Sequence, residues 1–278
     1  MRLWSNRKGG GNMHFNDFKF DGLYLSDYGF TMGFFGGKSS DSMFSGGELT
    51  FNNFKLPSND RQHFAGSAYE TPLSLEFDIF KKNELISITE YAEISRWLQR
   101  PDGYHWLQFT ASCGEQNDTN DEDIYFNCMI NCTPIDGHDG FDGIHLSIVT
   151  DSPYAYSSVT KKKFSFDGKN RMEFNDVSDR IGLLYPETTI TVKQAGNLKI
   201  VNTTMNPKEE VIIENVKVND VITFGKDRTS ISGVLDPNKF NFIFPCIGNT
   251  FESRKNIITC NLKADIELSY RLSRMVRI

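Results

Sequence analysis

Asp136, His138, Asp139 and Asp142 fall within one short stretch, PIDGHDGFD. Residue types of this kind can hold a divalent cation or share a proton as an acid–base pair. Either task also needs a cleft that brings substrate to the carboxylates. The Asp-Gly steps point elsewhere, because they supply positive φ and side-chain-bonded turns. The stretch is therefore read as a hairpin connection. Residues 115–123, EQNDTNDED, offer Asp118, Asn120 and Glu122 to Ca²⁺. They lack the mid-loop glycine and the late bidentate glutamate of a calcium-binding loop. A solvated acidic hairpin tip is the reading adopted.

The remaining reactive residues are scattered. His14, His63, His105, His138 and His145 form no HExxH or HxH group. His105, between Tyr104 and Trp106, reads as a packed aromatic neighbour. Gly9, Gly10 and Gly11 lack the strand-to-helix setting and the Lys-Ser/Thr of a phosphate loop. No Gly-x-Ser-x-Gly elbow occurs. The five cysteines are Cys113, Cys128, Cys132, Cys246 and Cys260. Cys128 and Cys132 share a face of one expected strand, about 13 Å apart, too far for a disulfide. All five are expected as free thiols, as in a reducing cytoplasm. No catalytic residue, metal site or cofactor is assigned.

What must position side chains here is mostly β-structure. The chain has 278 residues, 38% of them hydrophobic, with 23 Phe and 10 Tyr. That aromatic excess suits strands. The convincing helix lies in SITEYAEISRWLQRPDG, from residue 87. Ser87 and Glu90 have capping-box spacing. Ile88, Tyr91, Ile94, Trp97 and Leu98 fall on one side at helical periodicity, opposite Glu93, Arg96 and Arg100. Pro101 stops the helix and Asp102-Gly103 turns the chain into an aromatic strand. Tyr91, Ile94, Trp97, Leu98 and, from that strand, Trp106 are the expected helix-to-sheet core.

Alternation marks the strands. Leu73, Leu75, Phe77 and Ile79 share one face, as do Ile124, Phe126, Cys128, Ile130 and Cys132, and Ile144, Leu146 and Ile148. Residues 150–158, with Pro153, are the best domain boundary. Beyond them short strands are expected at 163–166, 189–192, 198–201, 211–218, 221–224, 240–244 and 257–270, the pattern of an antiparallel sandwich. Cys260, Leu262, Ala264, Ile266, Leu268, Tyr270 and Leu272 form the longest alternating run. Residues 33–66 differ: Gly, Ser and Asn dominate, yet Phe34, Phe35, Phe44, Leu49, Phe51, Phe54 and Leu56 recur. A solvated linker has no use for those apolar groups. They fit an arm that packs on a neighbouring chain, or a loop that lies on its own domain.

A net charge of −6 argues against a duplex-binding surface held by phosphate contacts. No run of about 18 apolar residues is present to span a membrane. Residues 1–12 read as a flexible extension, whether native arm, vector remnant or upstream start.

The helix with its Trp-Leu end and the turn into an aromatic strand resemble the distal tail proteins of long-tailed bacteriophages. So do FKFDGLYLSDYGF (18–30), GIHLSIVTDSPYAY (143–156) and FNFIFP (240–245) followed by Gly248-Asn249. The resemblance implies a mainly β chain with no enzymatic activity. A ring-forming domain, residues 13–155, would carry one α-helix and an extended arm at about 33–66. A galectin-like antiparallel β-sandwich, residues 156–278, would follow. Phe44, Leu49, Phe51, Phe54 and Leu56 become candidate oligomerisation residues, since the family's arm clasps the next subunit. The resemblance further implies a homo-hexameric ring in the virion tail, assembled in the host cytoplasm. Its partners would be the tail tube protein, tail-tip or hub proteins, and baseplate or receptor-binding proteins. DNA would pass through without specific binding. A carbohydrate-binding sandwich module, with Tyr154, Tyr156 and Tyr185 as its platform, is the rival reading. A cell-wall hydrolase using two carboxylates ranks last.

Overall fold

The structure is a computed structural model that describes residues 17–35, 43–57, 60–109, 123–205, 208–225, 229–231, 237–250 and 253–276. The extension at 1–12, His14, Cys113, the acidic run 115–122, and residues 36–42 and 58–59 of the arm lie outside them. The described residues form two compact β-rich units: the first runs to Tyr156 and takes in Met275 and Val276, and the second is Ser157–Arg274.

Among the described residues, ten strands, one α-helix and a short 3-10 helix (Leu25–Tyr28) make the first unit. The strands are β1 (Phe18–Phe20), β2 (Leu23–Tyr24), β3 (Thr31–Gly33), β4 (Phe44–Gly46), β5 (Leu49–Lys55), β6 (Gln62–Tyr69), β7 (Leu73–Phe80), β8 (His105–Phe109), β9 (Ile124–Asp136) and β10 (Phe141–Thr150). The helix, α1, spans Ile88–Leu98. One antiparallel sheet runs β2-β1-β8-β9-β10-β7, with β3 and β4 both paired to β7. Asp21 and Gly22 carry the β1–β2 turn at φ +50° and +90°, the left-handed pair that a tight hairpin needs. Register stacks the apolar alternation: Leu146 faces Cys132 on one side and Phe77 on the other, and Ile148 faces Ile130 and Leu75.

Helix α1 closes the apolar face of this sheet. Ser87 and Glu90 cap it reciprocally, Glu90 N–H donating to Ser87 Oγ at 3.3 Å and Ser87 N–H to the Glu90 carboxylate at 2.9 Å. Ile94, Trp97 and Leu98 are buried and Tyr91 is half-buried, its hydroxyl donating to the Cys132 carbonyl at 3.2 Å. Trp97 lies between the rings of Phe18 and Tyr28, with centroids 6.1 and 4.7 Å away.

Three expectations for this unit need correction. Trp106 is not part of the helix-to-sheet core: it is 36% exposed and its ring meets Tyr156. Along β8, Leu107 and Phe109 point inward, so the two-residue repeat turns Trp106 outward. Ile88 is 77% exposed, because it starts the first turn, beyond the reach of the sheet. Phe44 is not on the arm. It sits on β4 opposite Leu75 and packs against the ring of Phe126.

The second unit holds eleven strands. They are β11 (Ala155–Asp167), whose first two residues belong to the first unit, β12 (Arg171–Asn175), β13 (Gly182–Leu184), β14 (Glu187–Val192), β15 (Gly196–Asn202), β16 (Glu210–Val216), β17 (Val221–Phe224), β18 (Thr229–Ile231), β19 (Ile247–Asn249), β20 (Lys255–Cys260) and β21 (Lys263–Arg274). One antiparallel layer has the order β18-β17-β14-β21-β11 and a second the order β12-β20-β15-β16, with β13 and β19 as a separate pair. Ile190, Ile266 and Ile222 of the first layer and Leu198, Ile200, Val211 and Ile258 of the second share one core. Two expectations change here as well. The single run through 257–270 is two strands, with Asn261 and Leu262 between β20 and β21. A two-residue break preserves the alternation, so the pattern hides it. Residues 240–244 form no strand: Phe242 has φ +60°, outside extended geometry.

Candidate assembly surfaces

β5 and β6 pair with each other and with no other strand among the described residues. The ladder runs from Leu49↔Tyr69 to Lys55↔Gln62, with a shift after Asn52, where Gly66 takes φ +145°. That bulge gives the hairpin its local twist. At its base, Gly46 and Gly47 turn the chain out of β4 at positive φ. A side chain on Gly46 would collide with the Pro72 carbonyl. Tyr69 sets its ring edge against Tyr154 at 5.3 Å.

The hairpin carries its apolar residues into solvent. Phe51 is 60% exposed, Phe54 50%, Phe64 64%, Leu49 42% and Leu56 45%. The aromatic groups cover one another only in part: Phe51 meets Phe64 at 6.4 Å, and Phe54 stacks on His63 at 5.4 Å. An isolated two-stranded hairpin is marginal in water, and contiguous exposed apolar surface marks an interaction site. Leu49, Phe51, Phe54 and Leu56 thus share one element, and Phe64, which sequence reasoning left out, joins them. The arm's strands extend to Tyr69, past the expected limit near 66, because β6 must match β5 in length.

Ahead of the arm the chain is clamped. The Phe35 N–H donates to Asp78 Oδ2 at 2.6 Å, while His145 Nδ1 lies 2.7 Å from Asp78 Oδ1. Asp78 is buried, and β7 and β10 bring it opposite His145. The Phe35 ring packs on Phe80 and fills the notch left by Gly143. Asp78 falls in the polar half of the strand's alternation with Ser74 and Glu76, so no local pattern set it apart.

The residues first considered for chemistry have structural places. The Gly137 N–H donates to the Gly140 carbonyl at 2.9 Å, closing the turn among Asp136, His138, Asp139 and Asp142. Among the described residues no group of three or more His, Cys, Asp or Glu is placed to hold a metal. His105 packs on Phe20 and contacts Asp102 at 3.0 Å. The Asp102 carboxyl is held at about 2, by the Arg100 guanidinium first and then by local hydrogen bonds. Cys128, Cys132, Cys246 and Cys260 are free thiols. Burial raises Cys132 to about 12 and Cys128 further, so neither is a nucleophile at neutral pH. Of the carbohydrate-platform candidates, Tyr154 is buried and Tyr185 is exposed.

Family models decide the identity. One described as a phage tail protein N-terminal domain matches residues 13–152, and one described as a phage tail C-terminal domain matches residues 154–270. The chain belongs to this phage tail protein family. No curated protein sequence matches it. Among solved structures, this phage tail protein is similar to the Dit protein of phage SPP1, described as a paradigm of the hub adsorption apparatus in phages that infect Gram-positive hosts. The TM-score is 0.60 at 10% identity, over 92% of this chain and 98% of that one. At that identity the likeness is one of fold. The phage tail protein is thus a two-part β structure with a structural place in the tail.

Proposed function

We propose that this phage tail protein is a ring subunit at the distal end of the tail tube. Six copies close around a channel, with residues 13–155 building the ring. The hairpin of each copy packs on its neighbour. Residues 156–278, read as a galectin-like sandwich, offer docking surface to tail-tip, baseplate or receptor-binding proteins. DNA and the tape-measure protein pass through the channel without specific binding, which the net charge of −6 favours. The work is assembly in the host cytoplasm, with no catalytic step.

The observation that carries this reading is the β5–β6 hairpin, whose Leu49, Phe51, Phe54, Leu56 and Phe64 stay exposed and which pairs with no other strand among the described residues. Family membership and the fold shared with SPP1 Dit, a hub protein, support the same place. Electron microscopy of the purified chain tests it. Closed rings are expected, and a sedimentation profile of monomer at every concentration would refute the ring.

A further inference from the structure

The β5–β6 hairpin leaves the first unit through two limbs, and both are stiff. The entering limb is Gly46-Gly47, at φ +79° and +66°. Glycine adopts that left-handed region at no steric cost. Here the pair is also closely walled. A Cβ on Gly46 would collide with the Pro72 carbonyl, and one on Gly47 would lie 2.9 Å from the Leu73 side chain. The walls hold the two glycines to this one turn. The leaving limb is Thr71-Pro72. The Pro72 ring fixes its own φ and confines Thr71 to extended backbone.

The turn at 150–154 bolts the exit in place. The hydroxyl of buried Thr150 lies 2.9 Å from the Leu73 carbonyl and 2.6 Å from that of Ser152. The Leu73 N–H donates to the Ser152 carbonyl at 3.2 Å. Both backbone groups of the first residue of β7 are thus held by the turn. The Asp151 N–H donates to the Asn127 carbonyl at 2.9 Å, which fixes the turn to β9. The Tyr154 N–H donates to Ser152 Oγ at 3.2 Å. That bond sets the buried Tyr154 ring where Tyr69, the last residue of β6, meets it edge-on at 5.3 Å. Beyond this base the hairpin pairs with no other strand among the described residues, so its direction is decided here.

We infer that Gly46, Gly47, Thr150 and the Tyr69–Tyr154 pair form a rigid elbow, which presets the direction of the hairpin in the single chain. Each copy then brings its arm to a neighbour already aimed. The purpose of the elbow rests on the ring reading, but its geometry does not. An arm that is ordered beforehand loses little freedom on docking, which strengthens association without any new contact. In a closed ring that gain recurs at every identical interface. The sequence DSPYA, residues 151–155, which no chemistry claims, thereby acquires a role: it positions the arm.

Pulsed electron paramagnetic resonance on the full chain tests the elbow apart from the ring. Nitroxides carried on p-acetylphenylalanine replace Asn52, on β5 ahead of the register shift, and Glu93, exposed on α1. Labelled chains are diluted into excess unlabelled ones, so that only distances within one copy are read. Wild type should give a single sharp distance. Gly46→Ala drives a methyl group into the Pro72 carbonyl, and Thr150→Val keeps the shape but loses the hydroxyl. Each should broaden or displace the distance. Should either fail to fold, Tyr69→Ala, at the half-buried base of the hairpin, should broaden it with circular dichroism unchanged. A broad distribution in wild type, or a sharp distance that no folded variant alters, would overturn the proposal. Negative-stain imaging of the unlabelled chain is scored separately. A sharp distance without rings refutes the ring and leaves the elbow standing, and rings with a broad distance do the reverse.

Discussion

The indole N–H of Trp97 donates to the backbone carbonyl of Phe20, 3.3 Å away. One side chain thereby ties helix α1 to strand β1 while its ring fills the space between Phe18 and Tyr28. Trp97→Ala should destabilise the first unit by about 3–5 kcal/mol, the usual cost of emptying a buried indole site. Trp97→Phe should cost less, since it loses the donor and part of the volume. Thermal unfolding followed with separate probes of the two units checks this; an unchanged first-unit transition would contradict it.

Glu90 gives the first unit an acid-sensitive point. The Lys81 ammonium, then the Ser87 backbone N–H, holds its carboxyl down at about 2, against 4.5 unperturbed. A depressed carboxyl contributes stability above its unfolded value and loses it as pH falls through the folded one. Wild type should therefore lose first-unit stability between about pH 4.5 and 2 more steeply than Glu90→Gln. Denaturant midpoints across that window measure it, and parallel profiles would refute the assignment.

Asp176 has the opposite sign. It is buried, and desolvation raises its pKa despite help from the Ser178 N–H, Arg254 and Arg274. A raised carboxyl contributes stability while protonated and loses it as pH rises through the folded value. Asp176→Asn keeps an oxygen for the Ser178 N–H, 3.1 Å away. It should raise the second unit's melting temperature at pH 7 and change little near pH 3. A lower melting temperature at pH 7 would show that the carboxylate is needed.

The helix was legible because its capping box and its apolar repeat agree, and the long strands because alternation is strict where one face is buried. Trp106 was misplaced because aromatic type outweighed strand parity: Leu107 and Phe109 already claim the inward face. Phe44 was assigned to the arm by composition, since Gly and Ser surround it, yet pairing with β7 is a long-range event that no local pattern records. The Asp78–His145 contact joins strands 67 residues apart and was hidden for the same reason. Phe242 could not be foreseen: its left-handed φ comes directly after Asn241, whose bonds to β16 are long-range contacts.

The hairpin carries the central claim. Replacing Phe51, Phe54 and Phe64 with serine removes apolar surface that is exposed in the single chain, so both units should keep their circular dichroism and melting behaviour. In a ring the same loss recurs at each identical contact, and it should lower assembly cooperatively. Mass photometry and negative-stain imaging of wild type and triple variant, side by side, make the most direct measurement. Wild type should form closed rings and the folded variant should remain monomeric at the same concentration. A variant that assembles as wild type does would show that the hairpin plays no part in building the ring.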